Sequence, residues 1–460
     1  MGKRIEQYDV IVIGSGSGAS IVEAYLYQGA KVAQVDRGPL GGTCLNVGCI
    51  PSKMLIFVAD RAMEIQEAKK LGVDAQVKSI DFRAIMQRMR STVDETRSHI
   101  REAIQQTEAL DFYEEEGRFV SDYTLQVGTK RIRGQKIFIA CGARPFIPPI
   151  KGIDEVEYLT NESVFQLRQR PESLLIVGGG YIGAEFAHFF AAMGSRVILV
   201  GRNTRLVPDE EPEISELLKE KMARRMDVRT NAEVVEVKKK EKGYLVTAEE
   251  GDSNHREKFV AEKIMIAAGR KSNADLLKIE DGGIETDEQG YVKVNDYLET
   301  NKENIWAFGD ANGKFMFTHV ANKEVAVAWH NSIHEHKIKM DYGAVPHAVY
   351  SHPQIASVGL TEGRARKEFD IMVGKAKYSD VAKGEAMMET KGFAKAIVEK
   401  GSQKLLGFHI IGPYAPILIQ EVIQAMAHEG TTGWISRGMH IHPAMSELIL
   451  ATLSNLREPH

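Results

Sequence analysis

Two cysteines separated by four residues are the groups in this chain best suited to do chemistry. They lie in Gly41-Gly42-Thr43-Cys44-Leu45-Asn46-Val47-Gly48-Cys49-Ile50-Pro51-Ser52-Lys53. A close pair of this kind can cycle between dithiol and disulfide, and Gly48 gives the backbone freedom to close the small ring. Pro51 suits the first turn of the helix that KMLIFVADRAMEIQEA continues. Cys49 therefore falls beside a helix N-terminus, where the dipole favours a thiolate, and Lys53 adds positive charge. The same pair could be half of a zinc site or two ordinary buried thiols. Zinc needs further ligands at suitable spacing, and the one other cysteine, Cys141, ends a distant strand. No metal site is expected, and Cys141 reads as a small buried residue.

Thiol–disulfide exchange needs a base that takes a proton from the attacking thiol and later returns it. His440-Ile441-His442-Pro443-Ala444-Met445-Ser446-Glu447 offers one. An imidazole titrates in the right range, and Glu447, one turn past Pro443, could hold one ring nitrogen of His442 and leave the other free. A His-Pro turn that merely caps a helix fits the spacing equally well.

The elements that must position these groups are announced by a pattern that occurs twice. YDVIVIGSGSGASIVEAYLYQGAKVAQVD and SLLIVGGGYIGAEFAHFFAAMGSRVILVGR each read as strand, glycine loop, amphipathic helix ending at a Gly, and second strand. That is the βαβ unit with its dinucleotide fingerprint. In the first copy Gly14 permits the turn, Gly16 lets backbone approach a pyrophosphate, and Ala19 opens the helix. Asp36, at the end of the second strand, is placed to accept from a ribose 2′-OH. In the second copy the loop is Gly178-Gly179-Gly180-Tyr181-Ile182-Gly183, but Gly201 stands where an acid should end the strand. Without that carboxylate a 2′-phosphate is not repelled, and Arg202 and Arg205 can pair with it. NADP is therefore favoured over NAD, the alternative being that both arginines are solvated surface charges.

Each copy is followed by an echo, KIFIACGARP and KIMIAAGRKSN. Both read as a buried strand entering a turn, at Gly142 and at Gly269, where the chain leaves one nucleotide domain for the next. Residues 229–257 look like antiparallel hairpins. From Tyr342 onward, alternating strands FAKAIVEK and LLGFHIIG precede a helix, ILIQEVIQAMAHEG, which marks a separate α+β domain. The expected architecture is α/β: a first dinucleotide domain over 1–150, a second over 151–272, a returning segment of the first over 273–341, and an interface domain over 342–460.

Bulk properties agree. A chain of 460 residues suggests about three domains. A net charge of −4 gives no reason to expect nucleic acid or an anionic membrane as partner. The start, MGKRIEQYDVIVIG, leads directly into a glycine loop and reads as a core strand rather than a signal peptide. The apolar stretch Leu174–Val200 is interrupted by five glycines, Glu185 and Arg196, so it is not a membrane span. Three cysteines do not make a secreted disulfide scaffold, and a reducing cytoplasm is expected.

GGTCLNVGCIPSK resembles the redox signature of the class I flavoprotein disulfide reductases, which include dihydrolipoamide dehydrogenase, glutathione reductase, mycothione reductase and mercuric reductase. The likeness runs the length of the chain. It implies FAD in the first domain, NAD(P) in the second and a homodimer whose active sites are shared between subunits. By this resemblance Cys49 is the thiol touching the flavin and Cys44 the interchange thiol. Gly42, Thr43 and Lys53 line the flavin, Lys53 pairs with Glu185, and the Tyr181 ring covers the nicotinamide site. NIWAFGDAN matches the second flavin motif, with Asp310 after Gly309 on the ribityl chain, and His319 contributes backbone near the isoalloxazine. HPAMSE resembles the family's His–Glu dyad, which makes His442 of one subunit the acid/base for the other and Glu447 its orienter. His440, by its place, helps or lines the site.

Mercuric reductase needs a C-terminal cysteine pair, and LSNLREPH has none. The arginines that bind glutathione have no evident counterpart. The signature loop, HIHPAMSE and LVPDEEPEI lean to the dihydrolipoamide dehydrogenase type. GRKSNADLL, THVANKE, YSDVAKGEAM and the arginine-lined coenzyme site fit an NADPH-dependent reductase of the mycothione type. From other classes, a single-thiol peroxidase would not need both cysteines, and a non-enzymatic flavin-binding subunit would not need the His442–Glu447 dyad.

Overall fold

The computed structural model describes residues 5–459 apart from 252, 254 and 429. Lys3 and Arg4, the basic pair of the amino terminus, lie outside the described residues, as do the extreme ends of the expected 1–150 and 342–460 domains. The chain forms two compact units. One comprises Met1–Ser52, Met86–Phe146 and Gly269–Asp341; the other comprises Lys53–Ile85, Ile147–Ala268 and Tyr342–His460.

The first unit is built on a seven-stranded sheet. Its order is Leu110–Tyr113, Val32–Val35, Ile5–Ile13, Lys130–Ile139, Thr124–Val127, Gly117–Ser121, with Ile305–Ala307 also pairing to Lys130–Ile139. The glycine-loop strand Ile5–Ile13 runs parallel to both neighbours. Its side chains divide by alternation: Ile11 and Ile13 enter one core cluster, Val10 and Val12 the other. A strand covered on both faces reads as a continuous apolar run, which is why DVIVI carries no polar alternation at its end. Where the chain leaves and re-enters this unit, Ala143–Pro145 pairs antiparallel with Arg270–Ser272, and the two echoes lie side by side.

The second unit holds three sheets. Asp227–Arg229, Arg196–Val200, Ser173–Val177 and Lys263–Ile266 form a parallel sheet in that order. Ala232–Lys239, Tyr244–Glu250 and Arg256–Ala261 are the antiparallel hairpins expected from their charged, weakly apolar sequence. Pro346–Val349, Ile355–Gly359, Leu405–Ile411, Phe393–Glu399 and Ile371–Lys377 make a five-stranded antiparallel sheet.

Three local expectations differ from what is found. The helix Tyr181–Ala192 is not amphipathic: from Gly183 through Phe190 every residue is buried. FAKAIVEK and LLGFHIIG do not alternate between core and solvent, because clusters cover both sheet faces; Ala394, Ala396 and Val398 enter one and Ile397 the other. ILIQEVIQAMA is two short helices, Ala415–Leu418 and Gln420–Ala427. One stretch unremarked in the sequence, 42–71, is long and apolar enough by composition to cross a membrane. It is interrupted at Gly48, and two of its residues, Lys53 and Asp60, pair with Glu185 and His188 inside the second unit, as core helices do.

Candidate functional site

In the first unit the two cysteines sit on successive helices. Gly42–Val47 is a one-and-a-half-turn helix bearing Cys44, and Cys49 is the first residue of Cys49–Glu67. Gly48 is the joint, and a Cβ there would lie 2.8 Å from the Thr43 carbonyl oxygen. Cys49 is exposed and Cys44 half-buried, and the two stand in the dithiol form. The Cys44 thiol is pushed well above the ordinary thiol range, first by its hydrogen bond to Cys49 and then by burial. Asn46, between them, donates through Nδ2 to the carbonyl oxygens of Leu40 at 2.7 Å and Gly42 at 2.9 Å, pinning the loop.

A cradle for a dinucleotide adjoins the pair. Gly14 has φ +113°, and a Cβ there would meet the Ala140 carbonyl oxygen at 2.2 Å. Gly42 has φ +68°, and its Cβ would lie 2.7 Å from Gly16 Cα, so the cysteine loop and the glycine loop touch backbone to backbone. A tight approach also falls at Gly18, just before Ala19 opens the helix: its Cβ would sit 2.7 Å from the Gly14 carbonyl oxygen. Asp36 closes the turn by accepting from the amides of Ser15 at 2.6 Å and Gly38 at 2.8 Å. Each of its oxygens retains a lone pair for a ribose hydroxyl.

At the other end of the cradle, burial raises the Asp310 carboxyl above its usual range. Arg270 Nε lies 3.3 Å from Asp310 Oδ2, yet it is buried and finds no aligned acceptor. A buried donor without an acceptor beside a desolvated carboxyl is what a polyhydroxyl chain would satisfy. Gly142 (φ +66°) and Gly269 (φ +123°) have open space where a Cβ would stand. These residues fit FAD.

The second unit repeats the cradle. Gly178 has φ +125°, and a Cβ at Gly183 would come within 1.9 Å of the Gly178 carbonyl oxygen, while Gly180 faces open space. A Cβ at Gly201 would crowd Gly179 at 3.2 Å, so the strand end that lacks an acid is also packed against the loop. Arg202 is exposed and Arg205 half-buried, and neither has a charged partner among the described residues. This arrangement fits a pyridine dinucleotide. Lys53 Nζ pairs with Glu185 Oε2 at 2.7 Å and lies 4.7 Å from the centre of the Tyr350 ring, while Glu185 Oε1 accepts from the Tyr350 amide at 3.0 Å. The Lys53–Glu185 pair implied by the resemblance is thus present. Tyr181, at the first turn of its helix, is exposed.

Also in the second unit, His442 Nδ1 meets Glu447 Oε1 at 2.8 Å, and Glu447 Oε2 accepts from the Ala444 amide at 3.0 Å. Glu447 is held below the usual carboxylate range by the Ala444 amide and then by His442. With Nδ1 engaged, His442 presents Nε2 from a ring that is 71% exposed. His440 differs. It is 10% exposed, with Nε2 3.0 Å from Glu421 and Nδ1 3.3 Å from the Gly438 carbonyl oxygen.

Four further residues at these sites escaped the sequence reading. Asn46 and Gly18 are described above. Glu324, wholly buried, accepts from the Gly309 amide at 2.6 Å and from Asn312 Nδ2 at 3.0 Å, fixing the turn that carries Asp310. Thr318 Oγ1 lies 3.5 Å from Cys49 Sγ. THVANKE contains both Thr318 and Glu324, but the sequence separates them from their partners by long spans that no periodicity bridges. Cys141 is half-buried at the edge of the first core, its thiol pushed up to about 12 by desolvation.

Residues 8–325 match the family model described as pyridine nucleotide-disulphide oxidoreductase, and residues 345–452 match its dimerisation domain. Mycothione reductase of Mycobacterium tuberculosis is 36% identical over 466 residues, covering 98% of this chain and all of the relative. Dihydrolipoyl dehydrogenase of Synechocystis sp. is 31% identical over 463 residues, 96% of this chain and 97% of the relative. Among solved structures, the HOCl-induced flavoprotein disulfide reductase RclA of Escherichia coli superposes with a TM-score of 0.86 at 28% identity. It covers 97% of this chain and 99% of its own.

Proposed function

Because the chain belongs to the pyridine nucleotide-disulphide oxidoreductase family, we propose that it is an NADPH-driven reductase of a small disulfide, working through Cys44 and Cys49. The family works with FAD and NAD(P)H. Bound FAD supplies the link between a two-electron hydride donor and a pair of thiols. The observation that carries the coenzyme choice is the end of the strand Arg196–Val200. Gly201 replaces an acid there, and Arg202 and Arg205 stand without charged partners among the described residues. A 2′-phosphate offers both guanidiniums a strong acceptor.

In this reading Asp36 accepts from the adenosine ribose, Asp310 and Arg270 hold the ribityl hydroxyls, and Lys53, paired with Glu185, lines the flavin. Tyr181 shields the nicotinamide pocket. His442 of the partner subunit takes the proton from Cys44 Sγ, and the resulting thiolate attacks one sulfur of the substrate disulfide. That S–S bond breaks, and the departing thiolate recovers the proton from the imidazolium. Cys49 thiolate then attacks Cys44 Sγ and expels the second thiolate, which is protonated by solvent. Two electrons have passed to the substrate, and the enzyme is left with a Cys44–Cys49 disulfide. Glu447 holds the ring in the orientation that leaves Nε2 free throughout.

The sequence leans to the dihydrolipoamide dehydrogenase type. The strand end at Gly201 and a mycothione reductase relative aligned along its whole length support the reductive direction instead. The test is a matrix of NADPH and NADH against small biological disulfides, with dihydrolipoamide oxidation by NAD⁺ as the reverse arm. Higher kcat/KM with NADPH and faster reduction than oxidation are expected. An NADH preference with rapid dihydrolipoamide oxidation would assign the chain to the other type.

A further inference from the structure

Val207 holds a backbone conformation that its own side chain disfavours. Its φ is +40°, in the left-handed region, although it is β-branched and precedes Pro208. Such a conformation persists only where the surroundings impose it. On one side the second glycine loop does so. The Val207 amide donates to the Gly179 carbonyl oxygen at 2.8 Å, and a Cβ at Gly179 would meet Leu206 Cδ2 at 3.1 Å. Arg202 and Arg205 lie in the same stretch, between Gly201 and Leu206.

On the other side, carboxylates that follow Val207 are anchored to the five-stranded sheet, all within the second unit. The Glu210 amide closes a turn on the Val207 carbonyl oxygen at 3.0 Å. Its buried carboxylate lies 2.6 Å from His347 Nε2 through Oε1 and accepts from Ser357 Oγ through Oε2. Burial alone would raise this carboxyl, but its bonds to His347 and Ser357 outweigh burial and hold it below the usual carboxylate range. Glu211, also buried, meets Lys395 Nζ at 2.8 Å, and Glu213 meets the same ammonium at 3.0 Å. His347, Ser357 and Lys395 come from three strands of the sheet. A buried carboxylate with both oxygens engaged is a fixed point, because moving it leaves its donors unpaired.

We propose that Glu210 is a positioning residue for the coenzyme: through His347 and Ser357 it clamps Val207 in its strained form and so keeps Arg202 and Arg205 in place for a 2′-phosphate. The inference rests on the NADPH reading proposed above and deepens it, by tying that affinity to the sheet of the dimerisation domain. Without the clamp Val207 relaxes, and only the fraction of molecules that regain the strained turn binds at full strength. Glycine carries no penalty at positive φ, so a Val207→Gly chain has no strain to release.

The probes are 2′,5′-ADP, which carries the 2′-phosphate, and 5′-AMP, which lacks it. Both are titrated calorimetrically into the FAD holoenzyme of wild type, E210A and V207G/E210A. E210A should bind 2′,5′-ADP roughly tenfold more weakly, the order of one released backbone strain, and 5′-AMP nearly as wild type does. V207G/E210A should recover most of the loss. Wild-type affinity in E210A overturns the proposal, and so does equal loss of both nucleotides or a double variant as weak as E210A. Should E210A fail to yield holoenzyme, S357A removes one of the same donors more gently. Weaker 2′,5′-ADP binding that V207G restores is then the expected result, and unchanged affinity the contrary one. A wild type that binds both nucleotides equally contradicts the coenzyme reading itself. The clamp is then read from NAD⁺ at the Gly179 loop: loss in E210A with recovery in V207G/E210A supports it, and no loss overturns it.

Discussion

His440 and His442 stand two residues apart, yet their rings are differently committed. His440 has an acceptor at each nitrogen, whereas His442 gives one nitrogen to Glu447 and turns the other outward. Replacing His442 by Gln should leave reduction of the flavin by NAD(P)H intact and lower disulfide turnover by about 10²- to 10⁴-fold, the usual contribution of a positioned acid/base. Stopped-flow flavin reduction and steady-state turnover read the two separately, and unchanged turnover would remove His442 from the mechanism. At the coenzyme site, an R202A/R205A double variant should raise KM for NADPH by about tenfold or more while leaving NADH little affected. A parallel rise for both coenzymes would mean that the arginines meet something other than the 2′-phosphate. The residues proposed to react were singled out in the sequence by type and local spacing alone. Thr318 and Glu324 were not, since each acts on a partner that only the fold brings near.

At the scale of elements, the glycine loops were legible for a steric reason: no other residue tolerates the φ values and close approaches at Gly14, Gly178 and Gly183. Gly183→Val should therefore spoil the coenzyme cradle alone. The purified variant is expected to retain FAD and to be reduced by dithionite but not by NADPH. Normal reduction by NADPH would show that the close packing there is dispensable. The all-round burial of Gly183–Phe190 and the two-faced burial of Phe393–Glu399 were hidden, because apolar periodicity reports one covered face and not what covers the other.

The same buried helix carries His188, which is wholly buried and lies 3.0 Å from Asp60 of the Cys49–Glu67 helix. Arg225 donates to its Nδ1 at 3.2 Å, so Nε2 carries the proton and the ring is neutral. Burial lowers its pKa to about 4. The folded state thus takes up fewer protons than the unfolded one between the ordinary histidine range and about pH 4. Stability falls as pH drops through that window, by up to about 3 kcal/mol at its acid end. His188→Gln, less stable at neutral pH, should show a shallower loss between pH 6.5 and 4 in denaturant titrations. A slope equal to wild type would contradict this assignment.

At the scale of the molecule, the dimerisation domain leaves large apolar side chains in solvent: Ile417 is 71% exposed, Trp434 61%, Met439 103% and Ile441 77%. Two of them, Met439 and Ile441, closely precede His442 in sequence. Burying such side chains against a second copy contributes about 1.5–3 kcal/mol each, and the active site proposed above, shared between subunits, would make catalysis depend on it. Ile417→Glu should shift sedimentation from dimer toward monomer and abolish disulfide turnover while leaving flavin reduction in place; a fully active monomer would refute the shared site. The central claim, that a flavin and the Cys44–Cys49 pair act as one electron store, is tested most directly by anaerobic reductive titration of the holoenzyme. The account predicts four electrons per subunit, with a long-wavelength band after the first two, and only two electrons without that band in a Cys49→Ser variant. A wild type that accepts two electrons and never shows the band would contradict it.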